Sequence, residues 1–133
     1  MTDSNEILQL CQLAITARKN AYAPYSKFAV GAAVLCNDGS MYKGCNIENA
    51  SFGLTVCAER VALFKAVSDG ADTPIAIALA TAGGHNPCGA CRQVMAEFST
   101  DLRVFIGNTD LPDEPFVETT LRDLLPGMFH LPR

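Results

Sequence analysis

The sequence predicts an α/β fold, a three-layer α/β/α sandwich around a mixed, mostly parallel sheet. Three observations carry this expectation. From residue 57 onward, helical stretches alternate with short apolar strands, the order that favours helix-linked parallel pairing. Earlier in the chain, Asn37-Asp38-Gly39 is a hairpin turn signal, which demands one antiparallel pair. Phe28 to Leu35 is apolar on both faces, as expected of a strand covered on both sides.

The elements follow in order. Glu6 to Lys19 reads as a helix with Ile7, Leu10, Cys11, Ala14 and Ile15 on one face. Asp3 can cap it, with Glu6 at capping-box spacing. Ala23 to Ser26 reads as a loop. The strand Phe28 to Leu35 turns at Asn37-Asp38-Gly39 and returns as Met41 to Asn46. Cys57 to Ser68 is a helix that stops near Gly70. Ile75 to Thr81 is an apolar strand followed by a Gly83-Gly84 loop, and Cys88 to Phe98 is the next helix. Short strands are expected at Arg103 to Ile106 and Phe116 to Thr119, with a short helix from Leu121. No repeat or linker interrupts this order, so residues 1–133 read as one catalytic domain of ordinary size.

Composition narrows the function. Hydrophobic residues make up 49% of the chain and charged residues only 18%, a low share that hints at surfaces buried in an oligomer. The net charge is −4 and the ten basic residues are scattered, which argues against nucleic acid as a partner. No apolar run is long enough to span a membrane. The acidic start, Met1 to Leu8, lacks the basic opening of a secretory signal. A cytoplasmic protein is expected, in which six cysteines serve as metal ligands or small core residues rather than disulfides. Cys11, Cys36 and Cys45 fall in apolar helix or strand patterns and read as core.

Two segments carry chemistry: Cys57-Ala58-Glu59-Arg60 and Pro87-Cys88-Gly89-Ala90-Cys91. Each opens a predicted helix, where backbone N–H groups and the helix dipole favour thiolate. Cys57, Cys88 and Cys91 together offer three ligands to a zinc ion. Three protein ligands leave a fourth tetrahedral position for water, the mark of a catalytic rather than a structural site. Glu59, two residues after a ligand, is close enough to move protons without being a ligand itself. A Cys-x-x-Cys pair alone would also suit a thiol redox protein or half of a structural zinc site. Cys57 with Glu59 argues against the first, and the lack of an evident fourth protein ligand against the second. His85 and His130 read as non-ligands.

Joined with Ala23-Pro24-Tyr25-Ser26-Lys27-Phe28-Ala29-Val30-Gly31-Ala32-Ala33, Asn46-Ile47-Glu48-Asn49-Ala50-Ser51 and Leu124-Leu125-Pro126-Gly127-Met128-Phe129, these motifs resemble the small cytidine deaminases over essentially the whole chain. The blasticidin S deaminases share the zinc motifs but lack the Asn46–Ala50 type of segment and the arginine after Cys-Ala-Glu. The resemblance implies hydrolytic deamination of cytidine and 2′-deoxycytidine in pyrimidine salvage, with one Zn²⁺ per chain. It implies attack on C4 by zinc-bound hydroxide, with Glu59 as proton shuttle. It further implies that Arg60 offsets thiolate charge, that Asn46 and Glu48 bind the ribose 3′-hydroxyl, and that Phe28 lies beside the pyrimidine. Ala58 would offer backbone groups to the base. The resemblance also implies a homotetramer in which Phe129 reaches a neighbouring subunit's site. An RNA- or DNA-editing deaminase would share the metal site but should carry a basic face.

Overall fold

The computed structural model describes residues 4–133, so the cap expected at Asp3 lies outside the described residues. The elements are α1 (Ser4–Arg18), β1 (Val30–Cys36), β2 (Met41–Cys45), a 3-10 turn (Phe52–Leu54), α2 (Ala58–Ser68), β3 (Pro74–Thr81), α3 (Gly89–Phe98), β4 (Arg103–Asn108), β5 (Val117–Thr120) and α4 (Leu121–Leu124). Their order is the one read from the sequence, with ends shifted by a residue or two. Gly39, at φ 89°, closes the expected hairpin, and Gly70, at φ 74°, follows the end of α2.

The five strands lie in the order β2-β1-β3-β4-β5. The sheet is mixed as expected, but it is not mostly parallel. Only β3 and β4 pair in parallel; β1–β2, β1–β3 and β4–β5 are antiparallel. The reason lies in what α2 connects. It joins β2 to β3, which do run in the same direction, but β1 lies between them and pairs antiparallel with both. One true β-α-β unit remains, β3-α3-β4.

Helices cover both faces. On one side, Leu10, Cys11 and Ala14 of α1 pack on Ala33, Leu35, Ala76, Ala78, Ala80 and Phe105. On the other, α2, α3 and α4 cover Ala32, Val34, Ile77, Leu79, Val104 and Ile106. The alternation within β1 and β3 sends neighbouring residues into opposite cores, which is why these strands read as apolar throughout. Ile15, expected on the inner face of α1, is exposed while Ala17 is buried. One residue on from Ala14 is a rotation of roughly 100°, beyond the edge of the buried stripe.

Two glycines set the distance of the helices from the sheet. A Cβ on Gly31 would lie 2.0 Å from the Ala14 carbonyl oxygen of α1. A Cβ on Gly44 would lie 2.5 Å from the Ala62 nitrogen and 2.7 Å from the Ala58 oxygen of α2. Both obstructions are backbone, which cannot swing aside as a side chain can. Gly44 therefore decides how close the helix beginning at Ala58 comes to the hairpin. Gly44→Ala is expected to destabilise the fold by at least about 1–3 kcal/mol, the usual cost of overpacking. A urea denaturation midpoint equal to that of the parent protein would contradict this close contact.

Candidate active site

The site begins with two helix caps of the same form. Cys57 precedes α2 with φ −70° and ψ 154°, and Cys88 precedes α3 with φ −67° and ψ 165°. An extended residue at the cap lets its side chain turn back onto the helix N–H groups, yet neither sulfur does so. Cys91 lies in the first turn of α3 and is fully buried. The three sulfurs lie within 4.8 Å of one another, and those of Cys88 and Cys91 are 3.5 Å apart. Zinc–sulfur bonds of about 2.3 Å at tetrahedral angles set sulfurs roughly 3.8 Å apart, so the cluster fits one zinc ion with little movement. The sequence-derived ligand set is thus brought together and positioned to hold a metal.

Charge is arranged around this cluster. Arg60 Nη2 donates a hydrogen bond to Cys57 Sγ at 3.2 Å. Arg60 Nε is buried without a hydrogen-bond partner among the described residues, a cation held against the sulfurs by the fold. A hydrogen bond from Cys91, reinforced by Arg60, draws the Cys57 thiol down to about 5. The same bond, with burial, keeps the proton on Cys91. Glu59 is 4% exposed, and its burial pushes the carboxyl up to about 7. It stands in the first turn of α2, next to a ligand but outside the ligand set.

A cavity of about 260 Å³ opens over these groups, and Phe28, Asn46, Glu48, Ala58 and Glu59 all line it with Cys57 and Cys88. Among the described residues, no lysine or arginine lines it. Five expected substrate and catalytic positions are therefore gathered around one hollow. A larger hollow of about 500 Å³ lies elsewhere, between α1 and the β4–β5 region. The cysteine cluster is not among its lining residues, so size alone does not locate the chemistry.

Asn46 and Glu48 lie just past the end of β2, and the structure gives them work that the sequence did not suggest. The Asn46 side chain accepts from the Val30 N–H at 2.9 Å and donates to the Phe28 carbonyl at 2.8 Å. Glu48 Oε1 accepts from the Tyr25 and Ser26 N–H groups at 3.0 and 3.1 Å, and the Ser26 hydroxyl donates to Oε2. These bonds, the Ser26 hydroxyl first, hold the Glu48 carboxyl below its usual range. Together the two residues shape the loop that carries Phe28.

Phe129 is not in the cavity of its own chain; it is 63% exposed. Leu124, Leu125 and Met128 of the same tail pack on the core, so the tail docks while Phe129 faces outward. Arg92 was missed by sequence reasoning. Its Nε donates to the Pro87 carbonyl and its Nη1 to the Leu124 carbonyl, each at 2.7 Å, tying the loop before Cys88 to the tail. The only signal was its place immediately after the last cysteine, which a helix surface residue could equally occupy.

The family model of the cytidine and deoxycytidylate deaminase zinc-binding region matches residues 4–107. The chain belongs to the cytidine deaminase family. Cytidine deaminase of Halalkalibacterium halodurans is 54% identical over 123 residues, covering 90% of this chain and 91% of that protein. Cytidine deaminase of Mycobacterium tuberculosis is 44% identical over 122 residues, 89% and 85% of the two chains. The crystal structure of cytidine deaminase from Burkholderia pseudomallei superimposes with a TM-score of 0.85 at 46% identity, over 97% of this chain and 100% of that one. The chain is thus an enzyme of the cytidine deaminase family, with zinc as cofactor and the Cys57, Cys88 and Cys91 group placed to hold it.

A labelling experiment follows from the exposure of Cys88. An exposed thiol at a helix N-terminus should react quickly, unless a metal holds it. Metal analysis is expected to give one zinc per chain, with Cys57, Cys88 and Cys91 protected from a thiol reagent until a chelator is added. Rapid modification of Cys88 in zinc-loaded protein would remove it from the ligand set.

Proposed function

We propose that this enzyme hydrolyses cytidine and 2′-deoxycytidine to uridine and 2′-deoxyuridine, releasing ammonia, as a step of cytoplasmic pyrimidine salvage. The observation that carries the reading is a buried Glu59 carboxyl in the same cavity as the cysteine cluster. Free nucleosides fit the rest of the hollow. Its volume lies below the roughly 300–1,000 Å³ of sites for drug-sized ligands. Its walls carry Glu48 and Glu59 and no lysine or arginine, so a phosphorylated substrate would meet carboxylates without a fixed cationic partner. The net charge of −4 likewise disfavours a polymeric nucleic acid.

Zinc held by Cys57, Cys88 and Cys91 would supply Lewis acidity, which makes water a nucleophile near neutral pH. Glu59 takes a proton from the attacking water and passes it to ring N3 as the oxygen bonds to C4. It then takes the remaining proton from the new C4 hydroxyl and delivers it to the amino group, the C4–N bond breaks as the C4 carbonyl forms, and ammonia leaves. A carboxyl held near neutrality by burial suits both halves of this exchange. Arg60 offsets the negative charge of the thiolates. Phe28 lies beside the pyrimidine, Ala58 presents backbone groups to it, and Asn46 and Glu48 bind the ribose hydroxyl with hydrogen-bonding capacity left over from their loop contacts. Six free thiols suit a reducing compartment. No described helix is long and apolar enough to cross a membrane.

The test is an ultraviolet assay of the purified protein with cytidine, before and after zinc removal, set beside Glu59→Gln. General acid–base catalysis is typically worth about 10²–10⁴-fold, and Glu59 serves more than one proton transfer. The variant is expected to lose activity at or above the top of that range while retaining zinc. A loss of less than about tenfold would assign the proton transfers to another group.

We also propose a homotetramer with shared sites. Leu54 and Phe64 line one surface hollow together, and Phe52, Phe129 and Leu131 are exposed as well, apolar surface that neighbouring copies of the chain would cover. Phe129 from one chain completes the site of its neighbour. Co-expressing Glu59→Gln chains with Phe129→Ala chains should then restore activity above the sum of the two pure variants. Some sites would hold Glu59 from one chain and Phe129 from the other. No recovery in mixed oligomers, with Phe129→Ala alone clearly impaired, would place the whole site within one chain.

A further inference from the structure

Phe28 is fixed through its backbone. The Phe28 N–H donates to the Ser26 hydroxyl oxygen at 3.0 Å, and its carbonyl accepts from Asn46. Lys27, just before it, is held at φ 59°, a costly conformation for a residue with a side chain. These constraints aim the side chain into the cavity. They leave rotation of the ring to whatever the ring touches.

The ring touches His85. The two rings meet edge to face, with centroids 5.7 Å apart and planes at 63°, a favoured aromatic geometry. His85 lines the same cavity from the opposite loop, between β3 and α3. That loop is built to place it. The Thr81 hydroxyl accepts from the His85 N–H at 2.9 Å, and Asn108 Oδ1 accepts from the Gly83 N–H at 2.9 Å. Gly83 and Gly84 turn the chain back at φ 84° and 66°. A Cβ on Gly83 would come within 2.8 Å of His85 Nε2, so the imidazole lies folded over a glycine that leaves room for it. The cysteine cluster has its three ligands without His85, and the deamination steps assign it no proton.

We propose that His85 is a positioning residue for the deamination: its ring braces Phe28 so that the phenyl group is held against the pyrimidine. The idea rests on the reading of Phe28 as the residue beside the base. The brace acts on binding more than on bond making, because the ring of Phe28 contacts the base in ground state and transition state alike. Loss of such uniform binding raises KM and spares kcat.

The test compares His85→Ala and His85→Phe in the zinc-loaded enzyme. An edge-to-face pair is worth a factor of roughly two to twelve, so His85→Ala is expected to raise KM for cytidine by about threefold to tenfold, with kcat changed less than about twofold and zinc content unaltered. His85→Phe, which keeps an aromatic ring there, should restore KM. A second measurement reads the contact without substrate. With 4-fluorophenylalanine incorporated, and the Phe28 resonance assigned from Phe28→Leu, the fluorine signal should shift in His85→Ala and return towards its parent position in His85→Phe. An unchanged KM and fluorine signal in His85→Ala would overturn the proposal. So would loss of zinc, or a His85→Phe variant as impaired as His85→Ala, which would point to the imidazole N–H instead. A parent enzyme inactive on cytidine would overturn the functional reading, and the role of His85 with it. The fluorine signal separates the two failures, since it reports the ring contact whether or not cytidine is turned over.

Discussion

Three sulfurs can converge here only because two helix N-termini end at the same point. Like-charged thiolates repel, so the convergence must be favoured from outside. Each helix start offers unsatisfied N–H groups and the positive end of a dipole, worth about 0.3–1 kcal/mol per neighbouring charge and up to about 2 when partly buried. The Arg60 hydrogen bond to Cys57 adds an interaction of the charge-assisted kind, about 1.5–3 kcal/mol. The sheet brings the helix ends together. Gly44 lets α2 close onto the hairpin, and the loop after β3, pinned to Thr81 and Asn108, delivers Cys88 and the first turn of α3. Neither helix end is useful without the other.

In the mechanism proposed above, the same helix start joins metal binding to proton transfer. Cys57 caps α2 and Glu59 follows in its first turn. Burial would normally be a defect for a carboxyl that forms no ion pair among the described residues. Here burial lifts its pKa to about 7, where a group is able both to accept and to donate a proton. A more exposed Glu59 would stay ionised and donate poorly. A salt-bridged one would be fixed as carboxylate. Arg60 faces the sulfurs and hydrogen-bonds Cys57, which divides the two jobs cleanly between adjacent residues.

Much of this was legible in the sequence, for reasons that can be named. Cys57, Cys88 and Cys91 announce themselves because few structures need thiols at two helix starts, and Glu59 because its spacing from a ligand is fixed by one helix turn. The hairpin was legible from Asn37-Asp38-Gly39, and the buried strands from their unbroken apolar runs. Strand order was not legible. Local pattern tells which strands a helix connects but not which third strand lies between them, so β1 between β2 and β3 turned expected parallel pairs into antiparallel ones. Arg92 and His85 were illegible for a related reason. Their significance comes from partners 32 and 57 residues away, Leu124 and Phe28, and no local spacing encodes such contacts.

Asn46 and Glu48 show how far a site residue and a structural residue are the same thing in so small a chain. Their side chains build the loop of Phe28 before any nucleoside arrives. Removing Asn46 would leave the part-buried bonds of the Val30 N–H and the Phe28 carbonyl unmade. Removing Glu48 would hand the exposed Tyr25 and Ser26 N–H groups to water and free the loop. Either change would also release the ring that lies over the cavity. A weakened enzyme after such a substitution therefore says little about the ribose, because the loss of a substrate contact and the collapse of the loop predict the same symptom. The ambiguity is removed from the other side of the interface: taking a hydroxyl from the sugar leaves every protein hydrogen bond in place. It isolates the proposed contact in a way that no change to Asn46 or Glu48 does.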